Sequence, residues 1–216
     1  MLLNPIRLAI FASGRGSNFL AILEAIDSDR LDAEVKVVVS NNSDAGALET
    51  ARHRNIPAEV INKKNFPERE GFVRSLLEIL EKYQTELVIL AGYMKKIPPE
   101  VVARYPNRIL NIHPALLPSF GGKGMYGHHV HEAVLAQGCR VSGVTVHLVD
   151  EVYDRGPIVA QRCVVVEEGD TPEILAARVL KTEHQIFAEA IQLFAEGRVR
   201  VADGRVRIES SNDKQA

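Results

Sequence analysis

Ile6-Arg7-Leu8-Ala9-Ile10-Phe11-Ala12-Ser13-Gly14-Arg15-Gly16-Ser17-Asn18 holds the pattern that decides the fold: a short, nearly unbroken apolar run, then a turn of glycines and small polar residues. A strand buried on both faces, as in a parallel sheet covered by helices, reads as such a run. The amphipathic stretch 19–26 that follows is expected to be a helix. Strand, glycine turn and helix in this order mark the carboxyl end of a strand in an open α/β sheet, where such sheets take ligands.

Moving outward, strand-like and helix-like segments alternate. A β-branched strand covers 35–39, and Ser43 or Asp44 caps a helix running through Ala51. A weak third strand at 57–61, a long helix at 68–83 and a fourth strand at 87–91 come next. Pro98 and Pro99 open a short helix ending near Tyr105, and 108–112 is a fifth strand. After a loop rich in Gly and His comes a helix at about 131–136. Residues 144–149 and 157–166 then alternate with period two, as antiparallel additions to a sheet do. Pro172 starts a helix to about Ala195, and a hairpin spans 198–208 around Asp203-Gly204. The expectation is one α/β domain over 1–209, an open, mostly parallel, Rossmann-like sheet with helices on both faces, followed by a polar, disordered tail at 210–216.

Composition narrows the function. With 46% hydrophobic residues, 216 residues are enough for one substantial core. A net charge of -2 and a pI near 6.4 argue against nucleic-acid and membrane partners, which a strong basic excess would serve. The two cysteines, Cys139 and Cys163, are far apart and lack metal-ligand spacing, which suits a reducing cytoplasm. The first apolar run is too short for a signal peptide or a membrane span.

Ser13 to Asn18 is the first candidate site. Glycines let the backbone approach an anion, the helix N-terminus adds unpaired N–H groups and a positive dipole end, and Ser17 and Asn18 add side-chain donors. The alternative is a plain turn in which Ser17 caps the helix. Neither G-x-G-x-x-G nor G-x-x-x-x-G-K-[ST] is present, so the turn suits a single phosphomonoester better than a dinucleotide or a P-loop ligand.

Asn111 and His113 form the second. Two residues apart on an extended segment, they face the same side, and an amide with an imidazole can stabilise the oxygen of a tetrahedral intermediate. The alternative is a turn with a core histidine, which Pro114 and Pro118 weaken by ending the strand. Asp154, in the charged connection 150–157, is either a solvated turn residue or a carboxylate that orients His113. His128, His129 and His131 raise the thought of a metal, but no cysteine or acidic partner completes a zinc pattern, and polar loop histidines fit better.

Taken together, Ser13-Gly14-Arg15-Gly16-Ser17-Asn18, Ala91-Gly92-Tyr93-Met94, Asn111-Ile112-His113-Pro114-Ala115-Leu116-Leu117-Pro118, Asp154-Arg155-Gly156-Pro157 and Thr182-Glu183-His184 resemble, in kind and order, the phosphoribosylglycinamide formyltransferases. The resemblance covers nearly the whole chain and implies the formyltransferase fold. It implies 10-formyltetrahydrofolate as co-substrate without a metal, and 5-phosphoribosyl-glycinamide as acceptor, in purine synthesis. It also implies a monomer or homodimer with small-molecule partners only.

By that resemblance Asn111, His113 and Asp154 are catalytic. His113 is the general acid, Asn111 steadies the oxyanion, and Asp154 supports protonated His113. Gly16, Ser17 and Asn18 hold the phosphate, while Leu180, Lys181, Thr182 and Glu183 meet the rest of the acceptor. Arg69, Met94, Lys95, Lys96, Ile97, Asn111, Asp150, Glu151, Val152, Tyr153 and Asp154 meet the folate. Three departures stand out: Lys95 where arginine is common, Arg155 where glycine is frequent, and a long glycine-rich stretch at 121–127. Competing readings are a formyl-folate hydrolase, a methionyl-tRNA formyltransferase, which needs an added nucleic-acid-binding portion, and a non-enzymatic nucleotide sensor. The sensor leaves the joint presence of Asn111, His113 and Asp154 unexplained.

Overall fold

The computed structural model describes residues 4–62 and 64–210. The tail expected at 210–216 lies, beyond Ser210, outside the described residues. The chain divides into two compact units, Met1–Leu110 and Asn111–Ala216.

The first unit contains β1 (Ile6–Phe11), α1 (Ser17–Asp27), β2 (Ala33–Ser40), α2 (Gly46–His53), β3 (Ala58–Val60), α3 (Arg69–Lys82), β4 (Leu87–Leu90) and α4 (Pro99–Arg104). Its strands lie in the order β3-β2-β1-β4, all parallel. From β1 the chain steps outward through β2 to β3, then returns to β4 on the other side of β1. Right-handed crossovers place helices made on the outward steps on one face and those made after the return on the other. Accordingly α1 packs with α2, and α3 with α4. A strand paired on both edges and covered on both faces needs apolar residues throughout, and Leu8, Ala9, Ile10 and Phe11 are fully buried. The three-residue β3 is only half-buried, which is why its segment reads weakly.

One boundary differs from expectation. Ser43 and Asp44 do not cap α2: its cap position is Ala45, with no side-chain cap bond. The turn before the helix is made instead by Asn42, one position ahead of the pair, whose side chain accepts the Asp44 N–H at 3.1 Å in an Asx turn.

In the second unit come β5 (Ile109–His113), whose last three residues belong here, α5 (His128–Ala136), β6 (Val141–Leu148), β7 (Ile158–Val165), α6 (Pro172–Ala195), β8 (Val199–Ala202) and β9 (Arg205–Ile208). Strand order is β5-β6-β7, with β6 and β7 antiparallel. α6 follows its sequence signals closely: Thr171 caps it by accepting the Ile174 N–H, Pro172 sits in the first turn, and Leu175, Val179, Ile186 and Phe187 are buried. α5 begins at His128, earlier than the periodicity suggests, after Gly127 at φ 53°. β8 and β9 form a separate hairpin whose turn residues Asp203 and Gly204 both have positive φ, as that tight turn requires.

Candidate active site

In the first unit the strand order reverses beside β1, so the carboxyl ends of β1 and β4 form a topological switch point. The glycine turn lies there. Ala12 N–H reaches Val39 O at 3.1 Å and Ser13 N–H reaches Gly92 O at 3.0 Å, holding the turn on both sides. Gly16 has φ 82°, and a Cβ there would lie 2.8 Å from the Cβ of Ala47, so both conformation and space require glycine. Gly16 occupies the cap position of α1 without a side-chain cap bond, and Ser17 is the first helical residue. Ser17 therefore does not cap the helix. An uncapped helix start with a close-approaching backbone suits an anion. Ser17 is half-buried and Asn18 buried.

After β4, Met94 is half-exposed, Lys95 and Lys96 are exposed, and Ile97 is buried. Ile97 can therefore offer a ligand little of its side chain. Arg69 begins α3 and forks onto Glu100 of α4, at 2.6 and 3.0 Å, holding the Glu100 carboxyl below its ordinary pKa.

The catalytic candidates gather in the second unit. β5 presents Asn111 and buries His113. His113 Nε2 lies 2.8 Å from Phe120 O, and because a carbonyl only accepts, that nitrogen carries the proton. His113 Nδ1 faces Asp154 Oδ2 at 3.8 Å, in ion-pair range but too long for a hydrogen bond. Asp154 also accepts the Gly122 N–H at 2.8 Å.

Between these three stands His147 of β6, which sequence reasoning missed. Its Nδ1 lies 2.8 Å from Leu148 O and its Nε2 lies 3.0 Å from Asn111 Nδ2. The Leu148 carbonyl only accepts, so Nδ1 carries a proton and the ring is held between that carbonyl and the Asn111 amide. Asp154 Oδ1 is 3.6 Å from the same Nε2. The Asn111 amide nitrogen keeps a second hydrogen for a ligand oxygen. The available signal was the polar pair Thr145 and His147 at alternate positions of an otherwise apolar strand. Thr145 is equally engaged: its hydroxyl accepts the Leu117 N–H at 3.0 Å and donates to Ala115 O at 2.7 Å, bracing the segment after His113.

Burial sets the electrostatics. It pushes His113 below its ordinary 6.5, and neither Asp154 nor the Phe120 carbonyl offsets this. For Asp154, burial acts upward but is outweighed by His147, the Gly122 N–H and His113, leaving the carboxyl below 3.8. A neutral imidazole beside an ionised carboxylate results. The expected support of protonated His113 by Asp154 is thus outweighed by desolvation in this state. Gly156 fixes the turn carrying Asp154, since a Cβ there would lie 1.8 Å from Leu148 O.

Other candidates sit as follows. Leu180, Lys181, Thr182 and Glu183 lie on α6, with Glu183 buried and Lys181 exposed. Asp150 is half-buried, whereas Glu151, Val152 and Tyr153 are exposed. The three histidines are not loop residues but lie on α5, where the helix starts earlier than expected. His128 and His129 pair with Glu132, at 3.4 and 3.1 Å, and among the described residues no group of three or more ligands could hold a metal. His131 is buried, its Nδ1 has no partner, and burial lowers its pKa to about 4.

Residues 6–191 match the family described as formyl transferase. The chain belongs to the formyl transferase family. Among curated relatives, the chloroplastic phosphoribosylglycinamide formyltransferase of Arabidopsis thaliana is 49% identical over 86% of this chain and 64% of its own length. The phosphoribosylglycinamide formyltransferase of Bacillus subtilis is 36% identical over 86% of this chain and 93% of its own. The chain thus spans less than two thirds of the Arabidopsis protein and nearly all of the Bacillus one. Among solved structures, glycinamide ribonucleotide transformylase 1 from Symbiobacterium toebii is 42% identical, with a TM-score of 0.89 over 96% of this chain and 95% of that chain. No helix among the described residues is long and apolar enough to cross a membrane.

Proposed function

We propose that this formyl transferase moves the formyl group of 10-formyltetrahydrofolate to the glycinamide amine of 5-phosphoribosyl-glycinamide, releasing tetrahydrofolate and the N-formyl product. The observation that carries the proposal is the cluster of half-buried Asn111 and Asp154 with buried His113, the Asn111 amide being oriented by His147. When the amine attacks the formyl carbon, the carbonyl oxygen becomes an oxyanion, and the preoriented Asn111 amide N–H is a donor suited to it, joined by the His113 Nδ1–H once that nitrogen is protonated. The attacking nitrogen loses a proton and the departing folate nitrogen gains one. Neutral His113 takes the attacking nitrogen's proton on Nδ1 and then, as the general acid, passes it to the departing folate nitrogen, while Asp154 stabilises the imidazole in its charged interval.

The acceptor's phosphate is assigned to the turn at Gly16, Ser17 and Asn18, which the uncapped start of α1 supports. Its remaining part is assigned to Leu180, Lys181, Thr182 and Glu183. Folate is assigned to Arg69, Met94, Lys95, Lys96, Ile97 and Asn111, and to the turn Asp150, Glu151, Val152, Tyr153 and Asp154. The reading takes residues 1–209 as one catalytic domain, for which a single cooperative unfolding transition is expected. Two free cysteines, Cys139 and Cys163, support a reducing, cytoplasmic setting. A monomer or homodimer is the proposed form.

The test mixes purified protein with both substrates, following tetrahydrofolate optically and the product by mass. Acceptor-dependent transfer is expected. Formate release at the same rate with and without acceptor would overturn the reading in favour of a hydrolase.

A further inference from the structure

We infer that Ser13 is a positioning residue whose hydroxyl joins the phosphate turn and the folate segment into one cooperative unit. The inference rests on the assignment of those two segments given above. All the atoms involved belong to the first unit. The Ser13 hydroxyl donates to Asn41 Oδ1 and accepts the Met94 N–H at 2.8 Å. Its main-chain N–H reaches Gly92 O at 3.0 Å, and its carbonyl accepts from the Asn42 side chain at 3.4 Å. One residue thereby bonds to the segments that follow β2 and β4 while itself opening the segment that follows β1.

A serine hydroxyl has one hydrogen and two lone pairs, so giving the hydrogen to Asn41 leaves the oxygen acceptor-only toward Met94. The geometry is directional, and Met94 cannot shift without stretching it. Three residues further on, Gly16 starts the helix that faces the phosphate. The turn is also held from its other side, where Gly14 O accepts the Ala47 N–H at 3.2 Å and Gly16 lies against Ala47. Movement of Met94 is therefore passed into the turn instead of being absorbed by slack. A ligand that orders either segment reduces the ordering cost at the other, which is positive coupling between two sites. Alanine at Ser13 removes the hydroxyl's bonds to Asn41 and Met94 while leaving the main-chain bonds to Gly92 and Asn42, and Gly14, Gly16 and the helix start, in place.

Calorimetry reads this coupling directly. Tetrahydrofolate is titrated into the protein with and without saturating ribose 5-phosphate, which fills the phosphate turn but lacks the glycinamide that would meet the folate. In the unaltered protein the sugar phosphate is expected to tighten tetrahydrofolate about five- to tenfold. In Ser13→Ala the factor should fall below about twofold. Asn41→Leu, which strips the hydroxyl of its acceptor, should lose most of the factor, and Asn41→Asp, which keeps an acceptor oxygen, should retain it. A merely structural serine would weaken both ligands alone and leave their ratio unchanged. An unchanged ratio in folded Ser13→Ala, or no coupling in the unaltered protein, overturns the inference. If Ser13→Ala fails to fold, the two Asn41 variants decide between the same outcomes. Absence of both tetrahydrofolate binding and formyl transfer in the unaltered protein would instead overturn the functional reading beneath it.

Discussion

The turn after β1 offers a ligand main-chain N–H groups and a helix dipole, whereas the cluster on β5 and β6 offers side chains: Asn111, His113, His147 and Asp154. In the turn, what matters is that Gly16 permits a path no other residue permits. In the cluster, what matters is chemical identity, because each atom's role as donor or acceptor is fixed by its neighbour. The first arrangement is suited to holding an anion whose charge does not change. The second is suited to an oxygen whose charge appears only during reaction. Substitutions should therefore separate the two: side-chain truncations should be severe in the cluster and mild in the turn.

The largest expected effect is in the cluster. Asn111→Ala or His113→Ala should lower kcat about a hundredfold or more, with little change in acceptor KM, because removing one oxyanion donor costs roughly 2.7 to 4 kcal/mol of transition-state stabilisation. Asp154→Asn should also lower kcat, since the ionised carboxylate beside His113 and His147 is lost while its shape is kept. Steady-state kinetics on folded variants checks this. Near-normal turnover in both alanine variants would abolish the contrast between the regions.

The second effect concerns pH. The cluster's unit buries His131 with a pKa of about 4, below its ordinary 6.5, through burial first and the fields of His128 and His113 second. Its folded-state pKa lies below the unfolded value, so the unfolded chain takes up the proton first. The associated stability is fully present above about pH 6.5 and is lost as pH falls toward about 4. By pH 4.5 that loss is about 2.5 kcal/mol. Urea unfolding of the unaltered protein and His131→Leu at pH 7.5 and 4.5 tests it: the variant should lose less stability on acidification. Equal losses would mean that other groups carry the acid sensitivity.

The same contrast explains what could be read from sequence. The apolar run of β1, the glycine turn, the caps of α6 and the Asp203-Gly204 hairpin are local patterns, and local patterns survive in a linear text. Asn111 and His113 were legible because they sit two apart on one strand. His147 was not, because its partners are Asn111, distant in sequence, and Leu148 O, a backbone atom without a sequence signature. The contact between Ser13 and Asn41 escaped for the same reason, its partners lying far apart in sequence. The α2 cap failed differently: Asn42 spent the available turn chemistry one position early.

In the turn, backbone shape should outweigh side-chain chemistry. Gly16→Ala forces an L-residue into φ 82° and a Cβ to 2.8 Å from the Ala47 Cβ. The helix start then has to shift, and the acceptor KM is expected to rise about tenfold, with kcat changed much less. An equal fall in kcat with an unaltered KM would move the turn's role from holding the anion to the chemical step.

The smallest expected effect belongs to Ser17→Ala. Ser17 is the first residue of α1, half-buried, and does not cap it, so the helix keeps its start without the hydroxyl. What is lost is one neutral donor to a phosphate that retains the main-chain N–H groups and the dipole. A single hydrogen bond of that kind is worth about 0.5 to 1.5 kcal/mol, which corresponds to a rise in acceptor KM of about two- to tenfold. Ser17→Ala should therefore fall at or below Gly16→Ala in KM and leave kcat within about twofold. Ribose 5-phosphate, titrated against both variants, should give the same ranking. If Ser17→Ala proved the more damaging, the site would depend on side chains after all, and the turn would work by the same means as the cluster.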